Sequence, residues 1–273
     1  MYDIIFLVII MIKFNNIKYN RPDYPMIKEK INKLIEKIKV ETNYEEYLTT
    51  FKLIIGIQNH IEEMYDYADI RNMRDSSDEY FNSEMTYWNE YKPKFDLLFS
   101  PFYKHCLKTD FKDKLIKIIP ENFFNTIKYQ IKISSDETLE LQKKENDLQF
   151  EYRKIMREKI MFDGTERSLS FISGYFSNKD RNIRKKAHDC VNDFYYKNQS
   201  KLDEIMFELI NTRNAIANKL GFNNYSTYSL YKLRRFGYNY SDISKFRDNI
   251  IKYIVPLCKK LNEWQKKELN KKK

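Results

Sequence analysis

Three histidines and three cysteines are the residues whose types could bind a metal or act as nucleophiles: His60, His105, His188, Cys106, Cys190 and Cys258. A helical zinc site needs two histidines four residues apart, because that spacing places both rings on one helix face. No two histidines have this spacing, and Met64 stands four residues after His60. We therefore predict no catalytic residue and no metal ligand in this chain, and its substrate-binding residues stay unassigned.

Two histidine–cysteine neighbours offer further ligand atoms. His105 directly precedes Cys106, and His188 lies two residues before Cys190. Side chains at such close spacing do not face each other on a helix, so we expect packing or surface roles for them. Nothing in the Cys and His spacing supports a nucleophile pair. Two carboxylate pairs are expected on solvated helix faces: Glu45-Glu46 and Glu62-Glu63.

The composition favours long helices around a sizeable core. Of 273 residues, 42% are apolar and 16% aromatic, whereas there are only 5 glycines and 6 prolines. Because helix breakers are scarce and Lys, Glu, Ile and Leu are abundant, we predict a mainly α fold. Sparse cysteines in an odd number do not form a disulfide framework, which fits a cytoplasmic protein.

Both ends of the chain carry a compositional bias. Half of the net charge of +10 comes from the C-terminal tail, where seven lysines after Cys258 accompany two glutamates. We interpret this tail as a solvated helix end in preference to a nucleic-acid footprint.

The apolar run Ile4–Met11 is too short to span a membrane and lacks the flanks of a signal peptide. We expect the natural start at Met11 and no membrane partner.

Capping residues predict where the first helices begin. Asp23 can cap a helix that tolerates Pro25 in its first turn. The apolar stripe of that helix consists of Ile27, Ile31, Leu34, Ile35 and Ile38. Thr42 and Glu45 have capping-box spacing and predict the start of a second helix.

The middle of the chain predicts three more helical stretches. The segment that opens at Ser76-Ser77-Asp78 is rich in aromatic residues, and we expect Pro93 and Pro101 to divide it. Residues 112–130 and 136–159 then predict one helix each. We place a loose domain boundary near Lys112 to Pro120, where a proline-punctuated stretch separates the first helical bundle from the rest.

A β-hairpin is predicted at 159–169, because Asp163-Gly164 suits the positive φ angles of a type I′ turn. Helices resume at Asp180, and Ser200 is predicted to cap a separate following helix. Gly221 is expected to end that helix in the left-handed conformation.

The last predicted helix starts at Ser241-Asp242. Pro256 cannot donate a backbone hydrogen bond, so we expect a kink after Tyr253. The connector before this helix mixes arginines with five tyrosines: Tyr225, Tyr228, Tyr231, Tyr238 and Tyr240. Such a mixture could stack single-stranded nucleic acid, but packing between helices, or lining of a peptide channel, is the preferred interpretation.

Four pieces of the sequence resemble the M3-family oligoendopeptidases of the oligoendopeptidase F type. The first is the opening Arg21-Pro22-Asp23. The second is the hairpin followed by a helix start with Asp180, Arg181, Arg184 and Ala187. The third runs from Arg213 to Phe222, with Tyr225 after it. The fourth is Phe246-Arg247 together with Ile254-Val255-Pro256.

This resemblance implies a mainly α, multi-helix N-terminal half of an M3 peptidase, with one small β-hairpin near 159–169. It implies a helical domain at 11–115, an oligopeptidase F N-terminal-type region at 116–200, and the start of the catalytic domain at 201–273, truncated before the zinc motif. Members of this family are cytoplasmic zinc endopeptidases that cleave short peptides in a deep channel. Their His-Glu-x-x-His motif has no counterpart in this sequence.

We therefore expect an N-terminal fragment that is inactive alone and that carries no cofactor of its own. A separate catalytic half is its candidate partner. Without that half, apolar groups of the last helix should be exposed: Ile251, Ile254, Leu257 and Leu261. The alternative is a stand-alone basic helical module that binds nucleic acid or a protein partner, of which nucleic acid is the less expected.

Overall fold

A computed structural model describes residues 14–75 and 78–269, and this part of the chain is mainly helical. Its regular elements, in chain order, are α1 (Tyr24–Val40), α2 (Tyr44–Arg74), α3 (Glu79–Leu98), α4 (Ser100–Cys106), α5 (Lys112–Ile116), α6 (Glu121–Ile133), α7 (Leu139–Met156), β1 (Ile160–Phe162), β2 (Thr165–Arg167), α8 (Leu169–Ser173), α9 (Arg181–Lys219), α10 (Tyr225–Lys232), α11 (Tyr240–Asn249) and α12 (Val255–Glu268). The predicted mainly α fold with one small hairpin is confirmed.

The chain forms two compact units. One contains the residues up to Pro101 together with Lys143–Met206, and the other contains Phe102–Gln142 together with the residues from Phe207 onward. The division into 11–115, 116–200 and 201–273 stays a prediction about the domains of the family.

Helices α1, α2 and α3 pack together around the core of the first unit. Three isoleucines of α1 are buried, as their spacing requires of one helix face: Ile31, Ile35 and Ile38. Trp88 and Phe95 of α3 fill the centre. Asp23 caps α1 by accepting a hydrogen bond from the backbone N–H of Met26 at 2.8 Å, as predicted.

Several predicted boundaries are wrong in informative ways. Asn43, not Thr42, caps α2, because its side chain reaches the backbone N–H of Glu45. Pro93 lies inside α3 and does not divide it, whereas Pro101 stands in the first turn of α4. The predicted helix over 112–130 is two helices, since α5 ends at Ile116 and α6 starts after Pro120.

Ser200 lies inside α9 and caps nothing, so the two helices predicted on either side of it are one helix of 39 residues. Ser200 is exposed, and an exposed serine costs a helix interior only a few tenths of a kcal/mol. The apolar residues on both sides keep one continuous stripe: Ala187, Val191, Phe194, Ile205, Leu209 and Ile216 are all buried.

The hairpin forms as predicted. Strands β1 and β2 pair antiparallel with Phe162 opposite Thr165, which leaves Asp163-Gly164 as the two-residue turn. Both turn residues have positive φ, 50° and 74°, as a type I′ turn requires.

Two predicted features of the last helices are shifted. Asn239 caps α11 and forms a capping box with Asp242, so the helix begins slightly earlier than Ser241. Before Pro256 the helix widens into a π-helical turn, Ile250–Ile254, in which Val255 donates its backbone N–H to the carbonyl of Ile250. The helical conformation continues through Pro256 into α12.

Gly221 ends α9 in the left-handed conformation, with φ 76°. The backbone N–H of Phe222 donates to the carbonyl of Ala217 at 2.9 Å, and that of Gly221 donates to Asn218 at 3.0 Å. These two bonds define a Schellman motif, and the buried Phe222 makes its apolar contact.

Gly221→Ala is expected to lower the free energy of unfolding by about 1 kcal/mol, because an alanine at positive φ is strained. The matched control is Gly56→Ala inside α2, where a methyl group meets open space and φ is helical. That substitution is expected to stabilise the protein by up to about 1 kcal/mol. Urea unfolding of both variants measures the effects, and two shifts of the same sign would contradict the argument.

Some predictions concern residues outside the described ranges. These are the start at Met11, the run Ile4–Met11, the start at Ser76-Ser77 and the last lysines of the tail. Among the helices of the described ranges, none is both long and apolar enough to cross a membrane.

Candidate functional site

The histidines lie in structural or exposed positions. His60 is exposed on α2, and His105 lies near the end of α4. His188 stacks on Phe176 with 3.8 Å between the ring centroids. Across residues 14–75 and 78–269, no three His, Cys, Asp or Glu side chains are placed to hold a metal ion together. The donors described here therefore do not fit the zinc site that the family resemblance implies.

A half-buried cysteine, Cys190, lies beside the hairpin and close in sequence to His188. Cys190 lies in a cleft of about 610 Å³ between β1 and the first half of α9. Its thiol donates to the carbonyl of Met161 at 3.6 Å. Burial raises the pKa of the Cys190 thiol, which disfavours the reactive thiolate. Because the His188 ring is stacked on Phe176, Cys190 and His188 are not arranged as a nucleophile and its base.

The Arg-Pro-Asp opening holds the N-terminal segment against α3. Arg21 binds the carboxylate of Glu84 with two hydrogen bonds, of 2.9 Å from Nε and 2.5 Å from the terminal nitrogen. Tyr87 donates to the carbonyl of Pro22 at 2.5 Å, and Asp23 caps α1. Each residue of this family motif thus has a structural role.

Glu84 is the centre of this contact and was missed by the sequence analysis. Its residue surface is 1% exposed, and Tyr19 donates to it at 2.5 Å while Trp88 donates to the Tyr19 oxygen at 3.0 Å. Burial acts to raise the pKa of Glu84, but the hydrogen bonds from Arg21 and Tyr19 outweigh it and hold that pKa below its usual range. The carboxylate is therefore a structural anion.

Charged side chains also join α2, α3 and α7 within the first unit. Lys92 of α3 binds Glu62 of α2 at 3.0 Å and Asp96 at 2.6 Å. Arg153 of α7 binds Asp69 of α2 at 2.8 Å. Glu62 and Asp69 of α2 are thus paired with cations of α3 and α7, whereas Asp96 pairs with a lysine of its own helix. They serve packing, and Glu62 does not lie on a merely solvated face as the sequence analysis expected.

The second motif of the resemblance forms the start of α9. Asp180 accepts from the backbone N–H of Asn182 at 2.7 Å. Arg184 donates to the carbonyls of Asn178 and Lys179, which holds the preceding loop. Ala187 is fully buried on the inner face. This motif also stabilises local structure.

The aromatic connector is divided between packing and exposure. Tyr228 is buried against Ile216, Ala217 and Phe222. Tyr231 contacts Tyr129 at 4.4 Å between centroids, and Lys132 lies 4.3 Å from the Tyr231 ring. Two further tyrosines of the connector, Tyr238 and Tyr240, are exposed. The preferred interpretation as packing therefore holds for the first part of this segment.

The helices α11 and α12 expose their apolar side chains. Every described residue from Lys245 onward is exposed. The apolar residues among them include the four that the sequence analysis expected on the surface: Ile251, Ile254, Leu257 and Leu261. The packing of the second unit itself does not cover these apolar side chains.

Comparison with known proteins places this fold among peptidases. Residues 14–134 match the family model of the peptidase M3 N-terminal domain. Three solved structures match nearly the whole chain. PZ peptidase A, solved with an inhibitor, is 30% identical with a TM-score of 0.89 over 96% of this chain and 47% of its own. No curated protein matches the chain at a significant level.

The other two structures are described as oligoendopeptidases F. One is 28% identical with a TM-score of 0.90 over 96% of this chain and 46% of its own. The other, from Bacillus anthracis, is 27% identical with a TM-score of 0.90 over 95% of this chain and 48% of its own. The chain thus spans just under half the length of these relatives.

Residues 14–134 are therefore an M3 peptidase N-terminal domain. Together with the three structural matches, this domain supports an N-terminal portion of an M3 oligoendopeptidase. The resemblance recognised in the sequence is confirmed.

Proposed function

We propose that this chain is part of a zinc-dependent oligoendopeptidase that hydrolyses short peptides in the cytoplasm. The observation that carries the proposal is the similarity of 96% of the chain to PZ peptidase A, which was solved with an inhibitor, at 30% identity. The two structures described as oligoendopeptidases F support the same assignment.

We further propose that the 273 residues alone do not cleave peptides. A catalytic zinc needs three protein ligands and an open position for water. The described His, Cys, Asp and Glu side chains do not converge on such a site. The zinc ligands are accordingly assigned to polypeptide that corresponds to the remaining half of the relatives. The role of this chain is to scaffold one wall of the peptide channel.

The test is hydrolysis of an internally quenched fluorogenic peptide by the purified chain with added zinc. We expect no turnover that a chelator abolishes, whereas a full-length relative such as the Bacillus anthracis protein should show it under the same conditions. A variant with His60, His105 and His188 all replaced by alanine is the control for turnover that depends on the histidines of this chain. Chelator-sensitive turnover that this variant lacks would show that the chain is an enzyme by itself.

A further inference from the structure

One exposed apolar stripe runs along the end of the described chain. Its members are Ile254, Leu257, Leu261 and Trp264, and we call this set the seam. Each of the four is about half exposed, and Trp264 is 57% exposed. Their spacing of three, four and three residues is the a/d pattern with which one helix packs against another. Exposed apolar stripes of this kind mark interaction surfaces.

Lysines accompany the seam. Lys260 and Lys267 are seven residues apart, so they follow one flank of the seam at the repeat of a helix pair. The whole of α12 carries four lysines and only two glutamates, Glu263 and Glu268. Two copies of this helix side by side would bring lysines near lysines, whereas a partner helix with acidic flanks would neutralise them.

The relatives indicate where such a partner helix comes from. Their own chains are about twice as long as the part that this chain matches, so they contain as much polypeptide again. The seam lies in and just before α12, and the described residues of its own unit do not cover it.

We propose that the seam docks an acidic amphipathic helix, supplied by the polypeptide that corresponds to the remaining half of the peptidase. The partner's apolar a and d residues pack on the seam, and its glutamates or aspartates pair with Lys260 and Lys267. This inference rests on the proposed function, since it names the partner surface through which this part joins the rest of the enzyme.

The test uses the full chain and designed helical peptides of about three heptads. One peptide has leucine at a and d and glutamate on both flanks, the second has lysine on the flanks, and the third has glutamine in place of the leucines. Trp264 reports binding by fluorescence, because the other tryptophan, Trp88, is fully buried. Trp264→Phe should remove the fluorescence change, while anisotropy of a labelled peptide still reports binding.

We expect the glutamate-flanked peptide to shift Trp264 emission to the blue and to bind at least about tenfold more tightly than the other two. Leu257→Gln with Leu261→Gln should weaken binding by about tenfold or more, with an unchanged far-ultraviolet spectrum because both side chains are exposed. Lys260→Glu with Lys267→Glu should reverse the preference toward the lysine-flanked peptide.

Three results would overturn the proposal. They are equal binding of the acidic and basic peptides, no binding of the acidic peptide, and a dimer in light scattering that shields Trp264 without any peptide. None of these measurements involves hydrolysis. Peptidase activity of the chain alone would contradict the proposed inactivity but not the binding of a helix to the seam. Failure of the acidic peptide to bind would contradict the seam proposal but not the proposed function.

Discussion

Glu84→Gln is expected to lower the free energy of unfolding by about 2–3 kcal/mol at neutral pH. Glutamine keeps the shape of the side chain but replaces the carboxylate, which accepts hydrogen bonds from Arg21 and Tyr19, by an uncharged amide. Breaking a buried ion pair costs about 3–5 kcal/mol, and we place this case lower because the Arg21 side chain is 47% exposed and can rehydrate. Urea unfolding followed by tryptophan fluorescence measures the change.

The matched control is Glu29→Gln on α1. Glu29 also binds a lysine, Lys33, at 2.6 Å, but both side chains are well exposed. Exposed pairs contribute little, so the unfolding midpoint of this variant should not move beyond error. Equal midpoint shifts for the two glutamate variants would show that burial of Glu84 is not what matters.

The pH dependence gives the same contact an independent signature. The pKa of Glu84 is held below its usual value of 4.5 in the folded state. A carboxyl whose folded pKa is depressed stabilises the protein above its unfolded pKa, and it loses that contribution as pH falls through the folded pKa. The stability difference between wild type and Glu84→Gln should therefore be constant above about pH 5 and shrink in more acidic solution. A difference that grows on acidification would contradict the assigned cause.

Local signals were sufficient where one short segment determines its own structure. The carboxylate of Asp23 accepts from the backbone N–H of Met26, in the turn that directly follows it. Asp163-Gly164 and Gly221 adopt positive φ for reasons that are contained in their own turns. For such features the sequence analysis was confirmed almost residue by residue.

The predicted helix boundaries were wrong where packing against residues distant in sequence determines the length of the helix. Ser200 could cap a helix or continue one, and the continuous buried stripe on both sides of it selects the long helix. Pro93 remains inside α3, where the buried Trp88 and Phe95 hold the helix on either side of it. Glu84 meets Arg21 across 63 residues of sequence, a separation at which neither periodicity nor spacing gives a signal.

The same distinction explains why kinship was easier to recognise than chemistry. Arg21, Arg184 and Gly221 belong to the motifs that carried the resemblance, and each holds a turn or a segment in place. Scaffold residues of this kind identify the family through the local structure that they stabilise. The sequence also predicted that the last helix exposes apolar groups. The heptad spacing of the seam indicates a docking surface only because the structure shows all four of its residues exposed.

Phe222→Ala is expected to destabilise the second unit by about 3 kcal/mol. Phe222 is 7% exposed and lies 5.5 Å from Tyr228 and 5.1 Å from Tyr231 between ring centroids. Its removal leaves a cavity at the corner where α9 ends and α10 begins, because the backbone there is fixed by the Schellman bonds and cannot collapse into the space.

Phe207→Ala on α9 is the matched control, since Phe207 is 64% exposed. An exposed aromatic residue contributes little to folding, so this variant should unfold within about 0.5 kcal/mol of the wild type. Hydrogen exchange localises the effect: Phe222→Ala should lose protection in α10 while α3, which belongs to the first unit, keeps it. If Phe207→Ala proved the more damaging change, Phe207 would belong to a packed surface, and the corner around Phe222 would not be what holds α10 in place.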